Sequence, residues 1–176
     1  MWGGLTWIKD NPVTQINADA IDGVEINLWS KDWADGIEMY NMGYDLINTI
    51  DDYGYMVPDG SKTRANSYGD LLNTSRIFSS FEPNKLRSSS GYVAVPSGDD
   101  QMLGAAFALW NDNIDKRASG LSESDLYWRF FDALPFYAER HGLLPDRKKA
   151  LQMLSVPLPH LWGQVRTPTH IIRSLL

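Results

Sequence analysis

The segment between residues 24 and 50 constrains the fold more than any other part of this sequence. Residues 24–30 alternate apolar and polar side chains with period two and begin with a β-branched residue, which predicts a strand. Residues 31–42 follow helical spacing, and Gly43 stands where a C-cap glycine is common. Residues 44–50 predict a second strand. Because the helix between them is long enough for a right-handed crossover, the two strands should pair in parallel.

The rest of the chain continues this alternation of strands and helices. The uninterrupted apolar run 103–110 is typical of a strand buried on both faces of a parallel sheet. One helix is predicted over 68–78, and Ser122 should cap another that runs to about His141. The apolar residues that predict the buried face of this last helix are Leu126, Phe130 and Leu134, with Tyr137 or Ala138. Residues 79–100 predict a long loop. This order of elements is typical of a parallel α/β fold.

Composition excludes several classes of function. The chain has 176 residues, a net charge of −6 and a pI near 4.9. Nucleic acids and anionic membranes attract basic surfaces, so neither is expected as a partner, and no apolar run is long enough to span a bilayer. The sequence has no Cys, which excludes disulfides and thiolate zinc sites. The three His residues lack metal-ligand spacing with acids, so no metal or cofactor is expected.

Aromatic and polar residues follow each predicted strand. Trp29 ends the first strand, Tyr53 and Tyr55 come soon after the second, and Trp110 and Asp112 close the third. In an α/β barrel the active site lies at the carboxyl ends of the strands. A single Trp is most often a packing residue, but three strand ends of the same character are harder to explain by packing. Since Trp stacks on sugar rings and carboxylates bind sugar hydroxyls, the pattern suggests carbohydrate.

The same residues resemble glycoside hydrolase family 20, the β-N-acetylhexosaminidases. Residues 103–112 resemble the last barrel strand of that family, which ends in Trp-x-Glu or Trp-x-Asp, here Trp-Asn-Asp. Residues 43–58 resemble the seventh strand, where a Tyr follows Gly-x-x-x-Ile-Asn. Residues 26–29 resemble the sixth strand, and Trp2 stands where the fifth strand carries a Trp. Residues 120–140 are similar to the last barrel helix.

The resemblance implies a site for an N-acetylated sugar. In that family the 2-acetamido oxygen of the substrate attacks the anomeric carbon, while an Asp-Glu pair performs the proton chemistry. Tyr53 would be the catalytic residue that donates its hydroxyl to the acetamido oxygen. Trp2, Trp29 and Trp110 would wall the sugar pocket, and Asp112 would bind sugar hydroxyls. Tyr55 falls where many members have Asp and is included among the substrate-binding residues.

The resemblance also implies that residues 1–140 are the C-terminal portion of a hexosaminidase-like (β/α)8 barrel, about the last three to four βα units. The chain contains no Asp-Glu dipeptide, so the isolated chain should be inactive. The expected function is therefore part of an exo-acting β-N-acetylhexosaminidase that acts by substrate-assisted retaining catalysis. Two alternatives stay open: a non-catalytic carbohydrate-binding or assembly module, and a domain kept only for packing.

Residues 141–176, which carry a net positive charge, are expected to form an atypical, partly helical tail. The expected partners are glycans that contain N-acetylhexosamine. A partial barrel leaves sheet edges unpaired, so self-association or pairing with a missing N-terminal half is also expected. The first residues lack the basic and apolar segments of a signal peptide. Whether a parent enzyme is secreted or held at the cell surface is left open by the sequence.

Overall fold

A computed structural model describes Trp2 and residues 7–8, 11–12, 22–65, 68–116 and 120–141. Over these residues the chain is a mixed α/β protein with small parallel sheets and four α-helices. The helices are α1 (Gly36–Asn41), α2 (Asp51–Gly54), α3 (Thr74–Ser80) and α4 (Glu123–Arg140), with a 3-10 helix at Ile114–Lys116. The strands are β1 (Trp7–Ile8), β2 (Asn11–Pro12), β3 (Glu25–Leu28), β4 (Asp45–Asn48), β5 (Tyr55–Met56), β6 (Arg64–Ala65), β7 (Leu71–Leu72), β8 (Lys85–Ser88), β9 (Gly91–Ala94), β10 (Met102–Ala105) and β11 (Ala108–Leu109).

The central sheet has three parallel strands in the order β10, β4, β3. Strands β3 and β4 pair in register, with Leu28 opposite Asn48, which confirms the parallel pair that the sequence predicts. Trp2 continues the parallel arrangement through a single bridge to Asn27 in β3. Along β3 and β4 the side chains alternate between buried and more accessible positions. One face of these strands therefore packs on a core, as period-two alternation requires.

The first helix begins later than the sequence predicts. Residues 31–33 form a turn, and α1 starts at Gly36 because the Asp35 carboxylate accepts hydrogen bonds from two backbone N–H groups of the first turn. Gly36 lies against β8, where an added Cβ would come within 2.9 Å of two atoms of that strand. The predicted end is confirmed, since Gly43 adopts a φ of 90° just past the helix.

The single strand predicted over 103–110 is two short strands. Strand β10 pairs with β4, whereas β11, a few residues later, pairs with β5. A register shift between Met102 and Gly104 interrupts β10. The expectation of burial on both faces is wrong, because Leu103 is 49% exposed. Within the described residues, β10 has only β4 as a paired neighbour.

Two further predictions are corrected between β7 and β10. The loop expected over 79–100 contains an antiparallel hairpin of β8 and β9, which packs on α1. The side-chain amide of Asn48, at the end of β4, donates to the carbonyl of Lys85, the first residue of β8, and to that of Pro83 just before the strand. These bonds fix where the chain enters the hairpin. The helix expected over 68–78 begins only at Thr74, because Asn73 caps it and β7 precedes it.

Helix α4 begins where the sequence predicts, with a capping box between Ser122 and Asp125. Its predicted buried face is only partly right. Tyr137 is buried, but Phe130 is exposed. The residues of α4 that are buried are Arg129, Asp132, Ala133, Phe136, Tyr137 and Glu139. Arg129 and Asp132 can lie on this face because each forms an ion pair with a residue outside α4. Helical spacing alone does not reveal such distant partners.

Two hydrophobic cores carry the described fold. One lies between β3, β4, α1 and the hairpin, and includes Ile26 and Leu46, which are fully buried. The other lies between α2, β5, α3 and α4, and includes Tyr53 and Phe81. No helix in the described residues is both long and apolar enough to cross a membrane. Apart from His141, the tail predicted over 141–176 lies outside the described residues.

Candidate functional site

Aromatic residues from four separate parts of the chain meet in one open pocket of about 450 Å³. Trp29 follows β3, Tyr55 begins β5, Trp110 follows β11, and Trp2 lies beside β3. The full lining is Trp2, Trp29, Tyr55, Val57, Tyr68, Trp110, Asp112 and Asn113. The five residues predicted to bind substrate, Trp2, Trp29, Tyr55, Trp110 and Asp112, are all in this set. We call it the aromatic pocket.

Tyr55 lies at the centre of the aromatic pocket. Its ring stacks on Trp29, with centroids 5.5 Å apart and an interplanar angle of 11°. Trp110 is tilted against it at 5.7 Å, and Trp2 at 6.3 Å. Trp2 and Trp110 meet edge to face at 5.7 Å. These are favourable aromatic geometries, so the rings hold one another in place before any ligand binds.

The Tyr55 hydroxyl is oriented by Trp2. The Trp2 Nε1–H donates a hydrogen bond of 2.8 Å to the Tyr55 oxygen. Burial raises the pKa of Tyr55 above its usual range, and the bond from Trp2 offsets only part of that effect. The hydroxyl is therefore protonated at neutral pH. Its oxygen accepts from Trp2, and a hydroxyl that accepts one hydrogen bond can still donate its own proton to another acceptor.

Tyr68 forms another wall and is tied to an acid. Its ring meets Tyr55 edge to face at 5.8 Å, and its hydroxyl donates to Asp51 Oδ2 at 2.9 Å. Burial raises the pKa of Asp51, while the bond from Tyr68 acts in the opposite direction. Burial, together with the Asp51 bond, raises the pKa of Tyr68 to about 12. Both tyrosines of the pocket thus carry their protons at neutral pH.

Polar groups lie on the rim beyond Trp110. Asp112 and Asn113 form a turn there, before the 3-10 helix, and Asp112 is exposed. The backbone N–H of Trp110 donates to Met56 O at 2.9 Å, which fixes this rim relative to β5. The pocket therefore combines ring faces with an accessible carboxylate, the combination expected for a ligand with apolar faces and hydroxyl edges.

Tyr53, the residue predicted to be catalytic, lies elsewhere. It belongs to the core between α3 and α4, where its ring contacts Phe81 at 5.3 Å and Tyr92 at 5.8 Å. The Arg76 guanidinium lies over the ring, 4.3 Å from its centroid. Tyr53 borders a second, smaller cavity of about 300 Å³ rather than the aromatic pocket. The structure thus brings five of the six predicted site residues together and leaves Tyr53 apart.

A buried ion pair supports the loop that leaves the pocket. Arg129 forks onto Asp70, with Nε 3.0 Å from Oδ1 and Nη2 2.7 Å from Oδ2. Asp70 also accepts the backbone N–H groups of Asp59, Gly60 and Lys62. Burial raises the pKa of Asp70, but these donors outweigh it and hold the pKa below its ordinary value. The loop after Val57 is therefore fixed to α4.

A second charged pair lies beside the first. Arg64 Nη2 comes within 2.7 Å of Asp132 Oδ2, an ion-pair distance, although neither carboxylate oxygen has a hydrogen bond of good geometry. The contact is therefore an ion pair. Burial raises the pKa of Asp132, and Arg64 lowers it in part. Together the two pairs explain why α4 buries charged residues against β6 and β7.

Sequence reasoning missed Val57, Tyr68 and Asn113 as pocket residues. Val57 lies within the block 43–58 and Asn113 immediately follows the block 103–112, so their closeness in sequence to Tyr55 and Asp112 was an available signal. Tyr68 falls in a segment predicted to be helical, where its exposure to the pocket could not be anticipated. Among the described residues, no group of three or more His, Cys, Asp or Glu side chains could hold a metal ion.

A scan against protein-family models and a search of curated proteins found no match for this chain. The proposed function therefore rests on the geometry of the aromatic pocket.

Proposed function

We propose that the aromatic pocket binds an N-acetylated hexose and that it is the aromatic part of a β-N-acetylhexosaminidase site. The observation that carries the proposal is that Trp2, Trp29, Tyr55, Trp110 and Asp112 line one pocket. The family resemblance implies a substrate-binding role for these same five residues. The ring faces suit the apolar side of a pyranose, and the Asp112 carboxylate suits its hydroxyls.

In this proposal Tyr55, rather than Tyr53, donates its hydroxyl to the acetamido oxygen. Tyr55 lines the pocket, and its hydroxyl, which accepts from Trp2, can still donate its own proton. Tyr53 lies in the core, under Arg76. A donor that faces the acetamido oxygen stabilises it as it becomes the nucleophile, so its contribution grows towards the transition state.

We also propose that the described strands are consecutive units of a partial (β/α)8 barrel. The support is the parallel order, in which Trp2, β3, β4 and β10 neighbour one another in chain order. Among the described strands, β10 has one free edge. A further parallel strand, from an N-terminal half or from a second copy of the chain, is the proposed partner of this edge.

The pocket proposal is tested by titrating the 176-residue chain with N-acetylglucosamine and following Trp fluorescence. We expect saturable binding with a Kd of about 1 mM, typical of a single small sugar, and weaker binding of glucose. Trp110→Leu should weaken binding about threefold to tenfold by removing a stacking face. Trp128→Leu on α4 is the matched control and should bind normally. Equal responses to both sugars would contradict the proposal.

A specific feature favours a non-catalytic binding module as the second candidate: the pocket is present in a chain without the Asp-Glu pair. Hydrolysis of an aryl β-N-acetylglucosaminide separates the two candidates. The isolated chain should not turn over this substrate at an enzyme's rate, because general acid catalysis supplies roughly 10²–10⁴-fold. If adding a polypeptide that carries the missing strands restored hydrolysis, the enzyme would be favoured over the binding module.

A further inference from the structure

Tyr68 has an unusual backbone for its residue type. Its φ is 53°, in the left-handed region that favours glycine. The following residue holds it there: Gly69 bridges Met56, and its carbonyl accepts the Val57 N–H at 2.9 Å. A Cβ on Gly69 would lie 2.8 Å from Ala65 Cβ, so only glycine fits this close approach. Strained residues of this kind persist where the surroundings fix them, and they concentrate at functional sites.

The side chain of Tyr68 is fixed as firmly as its backbone. Its hydroxyl donates to Asp51 Oδ2, and the other oxygen of Asp51 accepts the Asp52 N–H at 2.9 Å. The Asp51 N–H in turn donates to Trp29 O at 2.8 Å. Asp51 is therefore tied to the strand end that carries a pocket wall. Tyr68 is nonetheless 51% exposed, so neither its strain nor its hydrogen bond serves to bury it.

The hydrogen bond to Asp51 decides what Tyr68 can offer a ligand. A tyrosine hydroxyl has one proton, and that of Tyr68 points at Asp51. The oxygen can then only accept, and a carboxylate behind the proton strengthens it as an acceptor. Tyr55 has the opposite arrangement, since its oxygen accepts from Trp2 and its proton is available. The pocket thus presents one donor and one acceptor on neighbouring rings.

We propose that Tyr68 is a specificity-determining residue of the aromatic pocket, which accepts a hydrogen bond from a hydroxyl or amide N–H of the bound sugar, and that Asp51 is the residue that orients it. This assignment rests on the proposed sugar-binding function. It adds a requirement that the ring faces alone do not impose: the ligand must carry a donor where Tyr68 lies. Ligands of the same shape that lack this donor are bound less well.

The test uses the full chain, N-acetylglucosamine and a panel of its deoxy analogues, each without one hydroxyl, with Trp fluorescence as the readout. Tyr68→Phe keeps the ring and removes the acceptor, so we expect the Kd for N-acetylglucosamine to rise about threefold to tenfold. Wild type and Tyr68→Phe should bind equally well the one analogue that lacks the donor to Tyr68. If that donor is a hydroxyl, the analogue is one of the deoxy sugars. If it is the amide N–H, the analogue is the one in which an oxygen replaces the N–H. Tyr127→Phe, on the exposed side of α4, is the matched control.

Two further variants separate recognition from structure. Glycine tolerates the left-handed φ of position 68, so the Tm of Tyr68→Gly should equal or exceed that of the wild type while its affinity for N-acetylglucosamine falls. If Tyr68 had only a structural role, the affinity would stay unchanged. Asp51→Asn keeps an oxygen that can accept the Tyr68 proton and should lose less affinity than Asp51→Ala. An unchanged Kd in Tyr68→Phe overturns the assignment of Tyr68 alone. Failure of the wild type to bind N-acetylglucosamine overturns both this assignment and the proposed function.

Discussion

Two tyrosines that are two positions apart belong to different regions of this molecule. Tyr53 lies in the core between α3 and α4, with Phe81 and Arg76 against its ring. Tyr55 lies in the aromatic pocket, stacked on Trp29. In a continuous strand the two side chains would point to the same face. They point to different regions because Tyr53 belongs to α2, whereas Tyr55 begins β5.

The two regions also differ in how their neighbours are arranged. Around Tyr53 the neighbours belong to a core in which Ile77 and Phe81 are almost fully buried. Around Tyr55, Trp2 and Trp110 keep large exposed surfaces. Contiguous exposed aromatic area of this kind is common at ligand-binding and protein-binding surfaces. The change from helix to strand within residues 51–56 therefore places Tyr53 in the core and Tyr55 in the aromatic pocket.

The largest expected effect comes from removing the ring on the core side. Tyr53→Ala should lower the free energy of unfolding by about 3–5 kcal/mol, since it leaves a cavity between Phe81, Tyr92 and Arg76. Denaturant unfolding measures this change. Tyr127→Ala removes the same side chain from a site that is 63% exposed, and should change stability by about 0.5 kcal/mol or less. Equal losses in the two variants would remove Tyr53 from the core.

The next effect concerns the loop between the two regions, which Asp70 fixes to Arg129. The pKa of Asp70 is lower in the folded chain than its unfolded value of about 3.9. Its contribution to stability is therefore fully present above the unfolded pKa and is lost as pH falls through the folded pKa. We expect the free energy of unfolding of the wild type to decline in this acidic range.

Asp70→Asn supplies the control for this pH dependence. The variant should be less stable than the wild type at neutral pH, because Arg129 loses its buried counter-charge. The difference in stability between the two proteins should shrink as the pH falls below about 4, where Asp70 becomes protonated in the unfolded chain and, at lower pH, in the folded chain as well. A difference that is constant from neutral to acidic pH would show that the charge of Asp70 does not hold the loop.

The smallest effect is the one that bears most directly on function. Tyr55→Phe removes the pocket donor and should weaken N-acetylglucosamine binding by about 1 kcal/mol. Because it also removes the acceptor of the Trp2 N–H, it should lower the free energy of unfolding by about 0.5–1.5 kcal/mol. The same substitution at Tyr53 should leave the affinity unaltered. Titration of both variants under identical conditions measures the difference. Weaker binding in Tyr53→Phe and not in Tyr55→Phe would reverse the assignment and restore the prediction made from the sequence.

Local patterns predicted the elements that depend on local interactions. The alternation in β3 and β4 identified both strands, and Ser122 identified the start of α4. The buried face of α4 was misjudged because Arg129 is buried only through Asp70, which is far away in the sequence. The break between β10 and β11 was missed because it depends on which neighbouring strand each half pairs with.

The candidate site shows the same division between local and distant causes. Trp29, Trp110 and Asp112 follow strand ends, and Tyr55 comes soon after β4, so a strand pattern together with residue type could find them. Tyr53 follows a strand end too, but the short helix α2 turns it into the core. Tyr68 could not be found in this way, because its position depends on a left-handed backbone and on contacts with Asp51 and Tyr55.

The hydrogen bond between Trp2 and Tyr55 also bears on the order of folding. Its partners are 53 residues apart in the sequence. Trp110, which packs against both rings, lies about as far beyond Tyr55 as Tyr55 lies beyond Trp2. Contacts of such long sequence separation require large loops to close and form slowly, whereas a helix such as α4 depends on local contacts. The aromatic pocket should consequently be completed after the secondary structure, as one of the last steps on the folding pathway.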